Sequence, residues 1–183
     1  QRVYSTQPDR CMTCRPGRTC STSDSTDHAR PTGRRLIRQH FWPLPTVLIG
    51  YGAFGVRMIP TFAANWFQWF EAGGVLAVPS VRGGGEYGPA WHAAGARGRK
   101  QASFDDFIAA AEWLCANRYT NPEKLAVYGN SAGGLLAAAA IVSRPELFKA
   151  AVLISPLLDM VRYDRFLQGR EWQWMLFVEL PRQ

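Results

Sequence analysis

No apolar run in the 183 residues is long enough to span a bilayer, so a membrane-spanning helix is excluded. The first residues are polar and basic with no apolar core segment, and no signal peptide is expected. Acidic residues are the scarcer charge, 14 against 21 basic, for a net +7. That excess is local. Residues 1–45 hold eight Arg and three acids, whereas residues 46–183 hold thirteen basic and eleven acidic residues. The basic head lacks interleaved aromatics or any recognisable reading module, so no nucleic-acid partner is expected. Of only four cysteines, Cys11, Cys14 and Cys20 lie in the head. Cys11-Met12-Thr13-Cys14 has the C-x-x-C form of half a zinc site or a redox pair. A closed zinc site needs four ligands. Cys20 and His28 would complete a set, but at a spacing that matches no zinc pattern, so free thiols are expected and neither metal nor cofactor. The glycine-rich stretches lack the Gly-Lys-Ser/Thr of a phosphate-binding loop, which argues against nucleotides.

What is present is a hydrophobic fraction of 47%, enough for one globular domain with a core. Residues 1–45 are rich in Arg, Ser, Thr, Asp and Pro without periodicity and read as a disordered or loosely attached head. From Pro43 and Pro45 onward the character changes. Val47-Leu48-Ile49 reads as a buried strand, followed by the glycine-rich turn Gly50-Tyr51-Gly52-Ala53-Phe54-Gly55. That turn fits equally a plain strand-to-loop connection and the oxyanion side of a hydrolase. Thr61 is placed to cap a helix running to about Glu71, with Phe62, Trp66, Trp69 and Phe70 read as core, and Gly73-Gly74 ending it. Val75 to Val78 is the next strand, and Arg82 to Gly88 a long flexible connection. Ser103 and Asp106 have the spacing of a capping box. Phe104, Phe107, Ile108, Ala111, Leu114 and Cys115 then keep the rhythm of an amphipathic helix.

The organising stretch is 125–142. Leu125 to Tyr128 reads as a strand and Leu135 to Val142 as an alanine-rich helix that packs closely. Between them Gly129-Asn130-Ser131-Ala132-Gly133 fits the G-x-S-x-G nucleophile elbow. A strand turning sharply into a helix crowds its own backbone, so the positions two before and two after the serine must lack side chains. The turn lifts the Ser131 hydroxyl off the sheet, and the helix start aims N–H groups at nearby negative charge. Arg144-Pro145 breaks the helix and Ala150 to Ile154 is a further strand. Strands and helices alternate throughout. The expected fold is α/β, a parallel sheet with helices on both faces.

Several blocks, in order, closely resemble the catalytic domain of the prolyl oligopeptidase family of serine peptidases. They are Gly50 to Phe54, Arg82 to Gly88 with Trp91-His92, Phe104 to Ile108, Gly129 to Leu136, Arg144 to Phe148 and Asp159-Met160. The resemblance covers about Pro45 to Trp172 and implies an α/β-hydrolase fold acting on short peptides, often after proline. It implies Ser131 as nucleophile, the N–H of Ala132 and the hydroxyl of Tyr51 as oxyanion donors, and Phe54 and Trp172 as aromatic walls of a proline pocket. The elbow reads Gly-Asn-Ser-Ala-Gly-Gly where the family commonly has Gly-Gly-Ser-Asn-Gly-Gly, a variant also seen among relatives of other specificity. The head bears no resemblance to the family's β-propeller.

A serine hydroxyl needs a base to take its proton and a carboxylate to orient that base. In this fold the chain order is Ser, then acid, then His. The three histidines, His28, His40 and His92, all precede Ser131. His92 reads as structural, and Asp159 and Asp164 fall at matched positions other than the triad acid. The expected organisation is a head over 1–45, a partial catalytic domain over 46–172 with a truncated sheet, and a divergent tail over 173–183. The expected function is a serine peptidase acting through an acyl-enzyme at Ser131, weak as this chain for want of the triad Asp and His. A carboxylesterase on the same fold and a non-catalytic fragment are the alternatives. The cytosol is the expected compartment, from the lack of a signal peptide and the habits of the family.

Overall fold

The computed structural model describes residues 43–165 apart from 60 and 62, together with residues 3–4 and 169. Five parallel strands form one sheet: β1 (Val3–Tyr4), β2 (Thr46–Ile49), β3 (Val75–Ala77), β4 (Leu125–Asn130) and β5 (Ala150–Ile154), in the spatial order β1-β3-β2-β4-β5. Thr46 pairs with both Val75 and Leu125, and Leu48 with both Ala77 and Val127, so β2 lies at the centre. The connecting helices are α1 (Phe67–Glu71), α2 (Pro89–Ala93), α3 (Gln101–Ala116) and α4 (Ala132–Ser143). The α/β fold expected from the alternation is the fold observed.

Strand alternation explains the core. In β2 and β4 the side chains of Thr46, Leu48, Leu125 and Val127 point to one face and are fully buried. α3 and α4 pack against one another there, and Phe107, Ala111, Leu114, Leu136, Ala137 and Ala140 join Leu48 and Val127 in a single cluster. Alanines on α4 let the helix approach the strands closely. The opposite face carries Tyr128, which Trp66 meets edge-on at 5.5 Å between ring centroids.

Several local expectations are corrected. The first helix does not start at Thr61: a 3-10 turn, Ala64–Trp66, leads into α1 with Ala63 at the cap position and no side-chain cap bond. Trp66, Trp69 and Phe70 are half-buried rather than core and Phe67 is exposed, while Phe62 lies outside the described residues. Trp69 is instead held by its indole N–H on the carbonyl of Val75, at 3.0 Å. Ser103 and Asp106 form no capping box, because the helix begins at Gln101 and places both inside it. The Ser103 hydroxyl, fully buried, donates to the carbonyl of Arg82 at 2.5 Å. The Asp106 carboxylate accepts from the backbone N–H, Nε and Nη2 of Arg82 at 2.9, 2.8 and 2.6 Å. The Arg82–Gly88 stretch is therefore pinned rather than loose. Gly83 N–H also bonds Trp91 O, and Gly85 N–H bonds Val56 O. Residues 5–42 lie outside the described residues, and with them Cys11, Cys14, Cys20, His28 and His40. Val3–Tyr4 adds a short strand beside β3 that the sequence did not predict.

Candidate active site

From β2 the chain moves outward to β3, then crosses back over β2 to β4 on its other side. Such a reversal leaves a crevice at the carboxyl ends of the strands where it occurs. Here those ends carry the Gly50–Gly55 turn after β2 and Ser131 after β4. The two loops meet because the register brings Ile49 opposite Tyr128.

Ser131 occupies the single position between β4 and α4, with φ 54° and ψ −120°. Its N–H continues the ladder to Ile154 O at 3.0 Å, and its carbonyl accepts from Gly134 and Leu135 to open the helix. The backbone thus passes from strand to helix within one residue, and the side chain remains half-exposed. Both flanking glycines are sterically required. A Cβ on Gly129 would fall inside the carbonyl of Gly133, and one on Gly133 would stand 2.5 Å from Gly50 O. The crowding inferred from the motif is thus present. The helix starts at Ala132, three residues earlier than its apolar run suggested. The N–H of Ala132 is among the first helical donors, which have no acceptor within the helix.

Tyr51 lies against the same elbow, its ring 3.4 Å from where a Gly133 Cβ would be. It packs with Ala53, Phe54, Ala132, Leu157, Met160 and Tyr163 in a small apolar cluster, and its ring centroid is 6.3 Å from that of Phe54. Phe54 is held at φ 56°, a conformation disfavoured for an aromatic residue. Ser131, Ala132, Tyr51 and Phe54 are thus carried by two touching loops; Trp172 lies outside the described residues. His92 binds Gly83 O through Nδ1 at 2.8 Å, and since a carbonyl only accepts, Nδ1 carries the proton. Asp159 accepts from Arg162 N–H and Nε at 3.1 and 2.8 Å, and Arg162 holds its carboxyl below the usual carboxylate range. Burial, then the nearby Tyr51, pushes the Tyr163 hydroxyl up from its ordinary value. Among the described residues no group of three or more His, Cys, Asp or Glu is placed to hold a metal.

A model of the prolyl oligopeptidase family matches residues 60–179. The chain belongs to that family. The match runs past Trp172 as far as residue 179. A prolyl endopeptidase of Elizabethkingia meningoseptica is 46% identical over 130 residues, which is 71% of this chain and 18% of that protein. A prolyl endopeptidase of Dictyostelium discoideum is 44% identical over 129 residues, 70% of this chain and 17% of that one. Among solved structures, a post-proline cleaving enzyme from Rickettsia typhi superposes with a TM-score of 0.70 at 38% identity, over 74% of this chain and 20% of its own. Prolyl oligopeptidase B from Galerina marginata gives 0.71 at 39%, over 74% and 20%. The chain thus spans about a fifth of the length of these prolyl oligopeptidase relatives and corresponds to part of their α/β-hydrolase domain.

Two features of this family member carried no signal in the sequence. Lys100 sits in the run Arg97-Gly98-Arg99-Lys100, which reads as a solvated basic patch, yet it is 5% exposed. Arg82 and Asp106 lie in blocks that carried the resemblance, but nothing local to either announces their pairing across 24 residues.

Proposed function

We propose that this chain carries the nucleophile and oxyanion half of a serine peptidase site, with Ser131 attacking the carbonyl of a short peptide. The Ala132 N–H and the Tyr51 hydroxyl receive the charge that develops on the carbonyl oxygen; neither has to lose a proton to do so. Phe54, with Trp172, offers a flat apolar wall suited to a proline ring. The observation that carries this reading is the backbone of Ser131, held at φ 54° and ψ −120° between a strand and a helix whose flanking glycines admit no side chain. That geometry has a cost and no evident structural return at a serine. Fold alone does not fix the leaving group. The names of the relatives favour peptides over simple esters.

Hydrolysis by this chain is weak in the same proposal. Its only histidine among the described residues, His92, is committed to Gly83 O. Triad members act as a unit, and loss of the base lowers turnover by about 10⁶-fold. An alkyl fluorophosphonate is expected to label Ser131 slowly, over hours, and not to label Ser131→Ala. Turnover of a Gly-Pro amide reporter should stay near the uncatalysed rate. Labelling at another residue, or none after prolonged incubation, would refute Ser131 as nucleophile. Fast reporter turnover would refute the weak-activity claim.

A further inference from the structure

Beneath the Tyr51–Phe54 turn lies a buried cation. The Lys100 side chain enters from the start of α3, and its Nζ donates to the carbonyl of Gly52. It is also 3.5 Å from the Ser103 hydroxyl and 5.8 Å from the centroid of the Phe104 ring. Among the described residues no carboxylate lies within ion-pair distance of it. The neighbouring charges are engaged with other groups: Arg82 is paired with Asp106, Asp105 accepts from Gln101, and His92 holds Gly83 O. Arg97 and Arg99 stand on the preceding turn, and Tyr51 on the loop after β2. An ammonium buried without a counter-ion is costly wherever an apolar side chain would serve as well. What it gains here is one strong, charge-assisted bond to the residue following Tyr51.

That bond is one of a few that fix the turn. Gly55 N–H bonds Gly83 O at 3.2 Å and Val56 N–H bonds Ala53 O at 3.0 Å, both downstream of Tyr51. Nearest to Tyr51 in the chain is the Gly52 carbonyl, which takes the Lys100 ammonium and, at a longer 3.4 Å, the Ser103 hydroxyl. Gly52 has φ +62°, and its carbonyl faces inward. Rotation of that peptide would swing the tyrosine relative to Gly133. We propose that Lys100 is a positioning residue for the oxyanion site: by holding the Gly52 carbonyl, its ammonium sets where the Tyr51 hydroxyl stands relative to Ser131. This rests on the reading of Ser131 and Tyr51 given above. Lys100 touches no substrate in this role.

Burial lowers the Lys100 pKa to about 8, so the anchor is cationic at neutral pH and neutral one to two pH units higher. A neutral amine still donates a hydrogen bond, but a weaker one. An arginine at the position stays cationic throughout. The test uses the full chain as wild type, Lys100→Arg and Lys100→Met, with the rate of fluorophosphonate labelling at Ser131 measured from pH 6 to 9.5. The wild-type to Lys100→Arg rate ratio cancels every titration common to both chains. It is expected to fall about tenfold as pH rises through 8. Lys100→Met is expected to label at least tenfold more slowly at pH 7, with arginine restoring most of the rate. A flat ratio, or a folded Lys100→Met that labels as fast as wild type, would overturn the positioning role alone. The ratio needs no methionine variant, so the test survives if that variant unfolds. Absence of Ser131 labelling in wild type at every pH would instead refute the catalytic reading on which the role rests.

Discussion

Ser131 stands where an L-residue is uncomfortable. Its φ 54° and ψ −120° are those of the first central position of a type II′ turn, for which glycine is the default. A non-glycine residue there costs on the order of 1–3 kcal/mol. Ser131→Ala keeps that strain and loses only the hydroxyl, so its stability should match wild type within about 0.5 kcal/mol. Ser131→Gly relieves the strain and adds some unfolded-state entropy, which offsets part of the gain. The expected result is that Ser131→Gly exceeds Ser131→Ala by about 1 kcal/mol in urea unfolding, with neither variant labelled by a fluorophosphonate. Equal stabilities would mean that the backbone is not strained at this residue. The same bend was legible in the sequence because its cause is local, two glycines and a serine within five residues. Lys100 was illegible for the opposite reason. What makes it special is a carbonyl 48 residues earlier, while its own neighbours make it look like surface charge.

The elements themselves divide the same way. α3 was legible through its apolar spacing, and Phe107, Ala111 and Leu114 are buried as that spacing requires. α2 was not, since five residues with Pro89 first show too little of a period to read. The capping box failed through a competition the sequence cannot display. Ser103 and Asp106 have the right spacing to cap a helix, but the preceding turn Arg97–Arg99 already starts it, which frees both side chains for Arg82. That pairing ties α3 to the loop after β3 and, through Gly83, to the Tyr51 turn. Adjacent positions on α3 test it. Asp105 is exposed, accepts from Gln101 and adds only the smallest of the charge effects on Arg82, so Asp105→Asn should change stability by less than about 0.5 kcal/mol. Asp106 is 16% exposed and takes three bonds from Arg82, whose pKa the carboxylate raises through those bonds. In Asp106→Asn an amide N–H₂ faces an unpaired guanidinium, and with Arg82 itself 26% exposed the cost is about 1–3 kcal/mol. Thermal unfolding of the two variants side by side measures the difference. Equal effects would show that the pair does not hold the loop.

For the molecule as a whole the question is where the sheet stops. β4 is flanked on both sides, but among the described residues no strand pairs with the far side of β5. The strand reads Ala150-Ala151-Val152-Leu153-Ile154, five apolar residues with neither charge nor proline. Val152 is 52% and Ile154 44% exposed. Proteins usually blunt such an edge with lysine, proline or a bulge, because its free N–H and C=O groups template pairing with another chain. None of those devices is present in β5. Exposed apolar side chains add to the drive, at about 25 cal/mol for each Å² covered. The wild-type chain is therefore expected to associate as its concentration rises. Val152→Lys places a charge in the middle of the edge, where a facing copy would have to bury it, at a position exposed enough that the fold itself loses little. Sedimentation velocity over a hundredfold concentration range should show a rising average for wild type and a constant monomer value for Val152→Lys. Identical concentration dependence in the two would mean that association, if it occurs, runs through some surface other than β5. Retention of the Ser131 label in the lysine variant separates loss of pairing from loss of the fold, since the ladder bond from Ser131 N–H to Ile154 O links that strand to the elbow.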